Sequence, residues 1–281
     1  MAIVWRMAAS LHFVFGLTIG AALALAGMAR AGETQCWYEN GAVVAPASFG
    51  DMAGDFIIDA SAPRSLLLED RANADGIDAP TAVRDLVLAG EHVTALEMPL
   101  TNLNERAVGF ATTINGVLGW DVLSRFRVEI SFSPCRLILT RAKNGRRRRD
   151  PGSVRLPLRE IDGAAAVTAT AGDGARTRKG FFAVDTASMG TRFSPAETSF
   201  SPPLPRKIDP TWRFKLPARI RVLELDGLLF EQTPAGLLPK PAQALSGAIG
   251  LAVWSRYRLR MDGREGWLEL AAPQNAKPAE P

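Results

Sequence analysis

The chain has 281 residues, 47% of them hydrophobic and 22% charged, with a formal net charge of +4. That is enough length for one large domain or two small ones, each with its own core, and the near-balance of charge gives no reason to expect a nucleic-acid partner. With two His and two Cys in all, a zinc site would lean on carboxylates, so neither metal nor cofactor is expected.

Residues 1–31 read as an export signal. Arg6 lies in a short n-region, an apolar stretch covers 13–25, and Ala29-Arg30-Ala31 fits the small-x-small rule for signal peptidase. Cleavage before Gly32 is expected. An uncleaved anchor is the competing reading, because 8–29 approaches the ~20 residues that span a bilayer. Either way the remainder sits outside the cytoplasm, periplasmic or secreted, with no other membrane contact. Cys36 and Cys135 both remain, in an oxidising compartment, so they form either a Cys36–Cys135 disulfide or two separate buried thiols. The bridge fits if the strand around Trp37 pairs with one over 136–139.

Periods of two and short apolar runs between Gly, Pro and Asp predict strands through the rest of the chain. In the first half (32–142) these are a buried strand at 56–59, a hairpin over 85–96 turning at Ala89-Gly90-Glu91, a strand at 126–132 and its partner at 136–139. A basic linker, 143–152, follows, its four-Arg run reading as a solvated connection. The second half (153–272) repeats the order: a strand at 182–185, a hairpin over 219–230 turning at Asp226-Gly227, then strands at 257–261 and 267–270. One short helix per half is expected, at 121–125 and 252–256. The Pro- and Ala-rich tail, 273–281, is expected to be disordered. His92, in the first hairpin, reads as a surface residue, and Trp120 and Trp254 as core.

The halves are copies. Gly116-Val117-Leu118-Gly119 and the following Ser124-Arg125-Phe126-Arg127 return as Gly247-Ala248-Ile249-Gly250 and Ser255-Arg256-Tyr257-Arg258, 131 residues on (116 to 247). A fixed period of this length marks a duplicated structural unit. Upstream of each copy an apolar strand ends in an acid, Asp59 and Asp185. The second half is longer between Asp and hairpin turn, and the surplus falls in a proline-rich stretch over 194–217.

This arrangement resembles the retropepsin-like and pepsin-like aspartic peptidases, over nearly all of 36–271. In that family a hydrophobic strand runs into Asp-Thr/Ser-Gly-Ala/Ser, and a later Gly-apolar-apolar-Gly segment packs across the Asp loop. Here the loops are Asp59-Ala60-Ser61-Ala62 and Asp185-Thr186-Ala187-Ser188, and the packing glycines are Gly116, Gly119, Gly247 and Gly250. The resemblance implies an all-β fold of two acid-protease-like barrel lobes forming an intramolecular pseudo-dimer, a monomer needing no second chain. It implies Asp59 and Asp185 as a catalytic dyad acting through an activated water on a peptide or unfolded-protein substrate. Two carboxylates about 3 Å apart share one proton, so one serves as base and the other as acid.

The motifs depart from the family. Ser61 and Ala187 stand where it has glycine, and Ala60 where it has the hydroxyl that ties each loop to the opposite lobe; Thr186 keeps it. No glycine-rich flap is visible beyond a turn at Asn73-Ala74-Asp75-Gly76 or the proline-rich stretch. Two readings stay open: an aspartic endopeptidase, or an inactive pseudopeptidase binding peptides or envelope partners in the same cleft. For an active dyad, the missing hydroxyl and glycine contacts predict pKa values above those of the intact motif.

Overall fold

The computed structural model describes residues 32–141, 149–174, 176–195, 218–238 and 242–273. The export signal, most of the basic linker and proline-rich stretch, and nearly all of the tail lie outside them. The first half runs β1 (Glu33–Gln35), β2 (Trp37–Glu39), β3 (Ala42–Phe49), β4 (Met52–Ile58), β5 (Leu66–Leu68), α1 (Glu69–Ala74), β6 (Thr81–Leu88), β7 (Glu91–Thr101), α2 (Asn104–Ala107), β8 (Ile114–Leu118), α3 (Trp120–Leu123), β9 (Arg127–Phe132) and β10 (Cys135–Thr140). The second runs β11 (Val154–Pro157), β12 (Arg159–Ile161), β13 (Ala164–Gly172), β14 (Thr177–Val184), β15 (Thr191–Phe193), β16 (Ala218–Leu225), β17 (Leu228–Leu237), β18 (Gly247–Ile249), α4 (Leu251–Trp254), β19 (Arg258–Asp262) and β20 (Trp267–Ala271).

Each half closes on itself. Strands pair in the order β3-β4-β8-β5-β7-β6, and β6 returns to β3; the second lobe does the same with β13-β14-β18-β15-β17-β16, and β16 returns to β13. Closure leaves each six-stranded ring without free edges, apart from the short β2 and β12 added on the outside. Four hairpins use a two-residue X-Gly turn with both residues at positive φ: Asn40-Gly41, Ala89-Gly90, Asp162-Gly163 and Asp226-Gly227. Such turns match the right-handed strand twist. They fall at equivalent places in the two lobes, so the chain is mostly strand with few short helices and its halves share one connectivity.

A third sheet joins the lobes, in the order β1-β10-β9-β19-β20-β11. At its centre β9 pairs antiparallel with β19, Glu129 opposite Arg260, flanked by Ile130 opposite Leu259 and Val128 opposite Met261. Glu129 and Arg260 are counterparts in the repeat, so the pseudo-two-fold axis passes between them. Buried side chains from both barrels and this sheet form one continuous core.

Several local expectations shift. The helix of each half starts one residue earlier than expected, directly after Gly119 and Gly250 in extended backbone. The first lobe also holds α1 and α2, short helices that sequence periodicity did not separate from loop. The strand pairing with β10 is β1, Thr34 opposite Leu137, whereas Trp37 pairs into the first barrel opposite Val44. Cys36, between those two strands, is joined by a disulfide to Cys135 at the start of β10. In the chain-entropy model a loop of this length contributes about 4 to 5 kcal/mol. Trp120 and Trp254 are core, and His92 is exposed on β7.

Candidate functional site

Each lobe delivers its Asp in the same way. β4 lies parallel to β8 and β14 parallel to β18, and the amide of the residue just after each strand bonds across: Asp59 N to Leu118 O and Asp185 N to Ile249 O, both at 2.9 Å. The loop then folds back over the glycine segment, with Trp120 N donating to Ala62 O at 2.7 Å and Leu251 N to Ser188 O at 2.8 Å. The glycines are required by this crossing. A Cβ on Gly119 would lie 2.7 Å from Ala62 O, and one on Gly250 2.6 Å from Ser188 O; on Gly116 and Gly247 it would meet the carbonyls of Leu66 and Arg192 at 2.3 and 2.2 Å.

The two loops meet across the lobe boundary. The Thr186 hydroxyl donates to Ile58 O at 2.7 Å and accepts from Ala60 N at 3.1 Å, gripping the backbone on both sides of Asp59. Ala60 has no hydroxyl to return the grip. What remains symmetric is backbone: Val43 N donates to Thr186 O at 2.9 Å and Ala165 N to Ala60 O at 3.1 Å. Asp59 and Asp185 are both buried, at 3% and 0% exposure, in this joint.

Their surroundings are the finding that sequence reasoning missed. Asp59 Oδ1 accepts from Ser61 N at 2.9 Å and Ser61 Oγ at 2.6 Å, and its Oδ2 from the Arg106 guanidinium at 2.5 Å. Asp185 Oδ1 accepts from Ala187 N at 2.9 Å, and its Oδ2 from Ser188 Oγ at 2.5 Å and from the Arg192 guanidinium. Each carboxylate thus has its own arginine. Burial pushes the Asp185 carboxyl up, but Arg192, then Ser188 and the Ala187 amide, outweigh it and hold the group below its ordinary value. Burial likewise works against the charged form of Arg106, and Asp59 and then Asp185 overcome it, keeping the guanidinium charged. Arg106 therefore feels both carboxylates. At Asp185 a guanidinium in contact thus outweighs burial.

The arginines come from unrelated places. Arg192 lies on β15, pairing with Ala248, where Leu66 of β5 pairs with Val117 in the first lobe. Arg106 lies in α2, on the connection between β7 and β8. That connection is laid over the site: Leu103, Ala107 and Phe110 share an apolar cluster with Ala187 of the second Asp loop. Ala111 N donates to Glu39 Oε1 at 3.1 Å, and the Asn40 amide to Gly109 O. The Asn73–Gly76 turn is the end of α1, not a flap. Two surface cavities, of about 370 and 230 Å³, are lined by residues outside both Asp loops.

At the level of sequence, no protein-family model matches the chain and no curated protein aligns with it significantly. The structure is similar to that of an aspartic proteinase from Irpex lacteus, with a TM-score of 0.54 over 89% of this chain and 99% of that one, at 12% identity. At that identity the likeness is one of fold: the chain has the two-lobed, duplicated-barrel architecture of a pepsin-like proteinase.

Proposed function

We propose that this chain is a pepsin-like two-lobed protein that binds extended peptide between its lobes and does not cleave it while Arg106 and Arg192 hold the two carboxylates. The observation behind this reading is the pair of ion pairs, Arg106 on Asp59 and Arg192 on Asp185. Peptide hydrolysis by two carboxyls requires one shared proton and a water between them. A separate guanidinium on each carboxylate removes the reason to share that proton. The Cys36–Cys135 disulfide suits an oxidising compartment, so the export signal and a periplasmic or secreted location belong to the same proposal. So does a monomer, since both lobes come from one chain.

A second reading, a latent peptidase, is favoured by one observation. The Arg106 side chain is 36% exposed and sits on a single helical turn, whereas Asp59 beneath it is buried. Withdrawal of that turn would uncover the carboxylates without disturbing the Thr186 grip.

One experiment addresses both readings. A reduced, carboxymethylated protein serves as unfolded substrate from pH 3 to 8, with binding read by fluorescence anisotropy and cleavage by mass spectrometry. Binding without cleavage is the expected result. Cleavage by the wild-type chain that is lost in Asp59→Asn or Asp185→Asn overturns the proposal, as does absence of both binding and cleavage. Cleavage gained in Arg106→Ala, and lost again when Asp59→Asn is added, would establish the latent peptidase instead.

A further inference from the structure

The two surface cavities share one wall, Arg264. The larger, about 370 Å³, is walled by Arg125, Arg141 and Arg264 together with His92 and Thr94, and among the described residues no carboxylate lines it. The smaller, about 230 Å³, adds Arg159 beside Trp120, with Glu160 as its single acid. Arg125 and Arg141 come from the first lobe and Arg159 and Arg264 from the second, so the groove straddles the lobe boundary.

Among the described residues, Arg127 pairs with Asp262, Arg155 with Glu269, Arg258 with Asp150 and Arg260 with Glu129, whereas Arg71, Arg219 and Arg256 bond to an amide oxygen or a backbone carbonyl instead. Those in the groove divide in the same way, but most fall in the second group. Arg141 is committed to Glu91 and to the His92 carbonyl. Arg125 gives its Nε to the Asp121 carbonyl at 3.0 Å, Arg159 lies 5.8 Å from the Phe181 ring centre, and neither has an ion pair among the described residues. The Arg264 side chain makes no hydrogen bond or ion pair among the described residues. Three guanidiniums outside any ion pair among the described residues thus line two hollows that share Arg264, with Glu160 as their single acid. Planar guanidinium forks match phosphate oxygens two at a time, and two hollows on either side of one arginine suit more than one phosphate group.

We infer that this groove binds a phosphate-bearing polyanion that bridges the two lobes. The inference is independent of the Asp loops. It fits two sources of the same chemistry, a soluble polyphosphorylated molecule or the clustered headgroups of an anionic lipid surface.

The test uses the full chain. Tripolyphosphate is titrated calorimetrically, and vesicles of phosphatidylglycerol or of phosphatidylcholine are co-sedimented with the protein. Tripolyphosphate should bind, more weakly as salt rises. Affinity should fall about tenfold in Arg264→Ala, with further loss in Arg125→Ala/Arg264→Ala. Sedimentation with phosphatidylglycerol alone, lost in the same variants, assigns the lipid source; tripolyphosphate binding without sedimentation assigns the soluble one. A chain with Arg146, Arg147 and Arg148 changed to Ser controls for the basic linker and should bind normally. No binding in either arm overturns the inference, and so does binding that survives Arg125→Ala/Arg264→Ala or disappears with the linker arginines.

Discussion

Glu129 and Arg260 occupy the same position in the two repeats and face each other on the pseudo-two-fold axis, the Arg260 Nε donating to Glu129 Oε2 at 2.7 Å. In a symmetric pair of lobes this position would set like against like, Glu on Glu or Arg on Arg. Divergence of the copies has made it an ion pair, which suits association of the two unlike halves of one chain. Glu269 and Asp150 also accept from the Arg260 guanidinium, at 3.2 and 2.8 Å. Trp267 carries Arg155 and Arg127 over its ring, at 4.3 and 5.5 Å from its centre.

Reversal of the charge at this axis should be severe singly and milder in combination. Breaking a buried pair typically costs about 3 to 5 kcal/mol, because the partner is left uncompensated. Arg260→Glu is expected to lose that much in urea unfolding. Adding Glu129→Arg to it should recover part but not all, since Glu269 and Asp150 stay arranged around a cation at 260. Equal stability of the single and double variants would refute a specific pairing across the axis.

Acid should destabilise this protein in part through Asp185. Its folded pKa lies below the ordinary carboxyl value of 3.8. A depressed folded pKa contributes stability that is present above the unfolded value and is lost as pH falls through the folded one. Burial of Glu269 is likewise outweighed, by Arg155, the Asp150 amide and Arg260, so its pKa lies below 4.5 and it acts in the same sense. The urea midpoint should therefore hold from neutral pH down to about pH 4 and decline below it. Asp185→Asn should be less stable at neutral pH, with Arg192 left unpaired, and should show a shallower decline in acid. An acid slope identical to wild type would show that Asp185 is not held ionised by folding.

A stabilising substitution is visible in the imperfect repeat. In the first lobe the Ser65 hydroxyl donates to Asp121 Oδ1 at 2.8 Å and accepts from Gly119 N at 2.9 Å. Its second-lobe counterpart, Thr191, is buried with a hydroxyl that has no partner among the described residues, and the counterpart of Asp121 is Ala252. Ala252→Asp should restore the missing partner and stabilise by about 1 kcal/mol, the usual net worth of such a bond. A lower unfolding midpoint would mean that the added carboxylate cannot reach Thr191.

Much of this architecture could be read without coordinates because its signals are local. X-Gly turns, apolar strands ending in Asp, and glycines that let one backbone cross another recur at fixed spacing, and each acts within a few residues of itself. The doubled pattern of Asp59 with Gly116–Gly119 and Asp185 with Gly247–Gly250 therefore revealed both the duplication and the pair of acids. The shared sheet pairing Glu129 with Arg260 was not legible, because cross-strand register depends on which surfaces meet. Nor were the arginines that govern the site. Arg192 replaces a leucine within an otherwise matching strand, and Arg106 lies in a connection that differs in length between the halves, 102–113 against 238–246. An ion pair forms between whichever charges the folded backbone brings within a few ångströms, and Arg106 is 47 residues from Asp59. The chain's sequence alone determined that two acids would lie at the heart of two lobes; only the tertiary structure decided that each would arrive there with its own cation, because Coulomb attraction depends on distance in space and not on position along the chain.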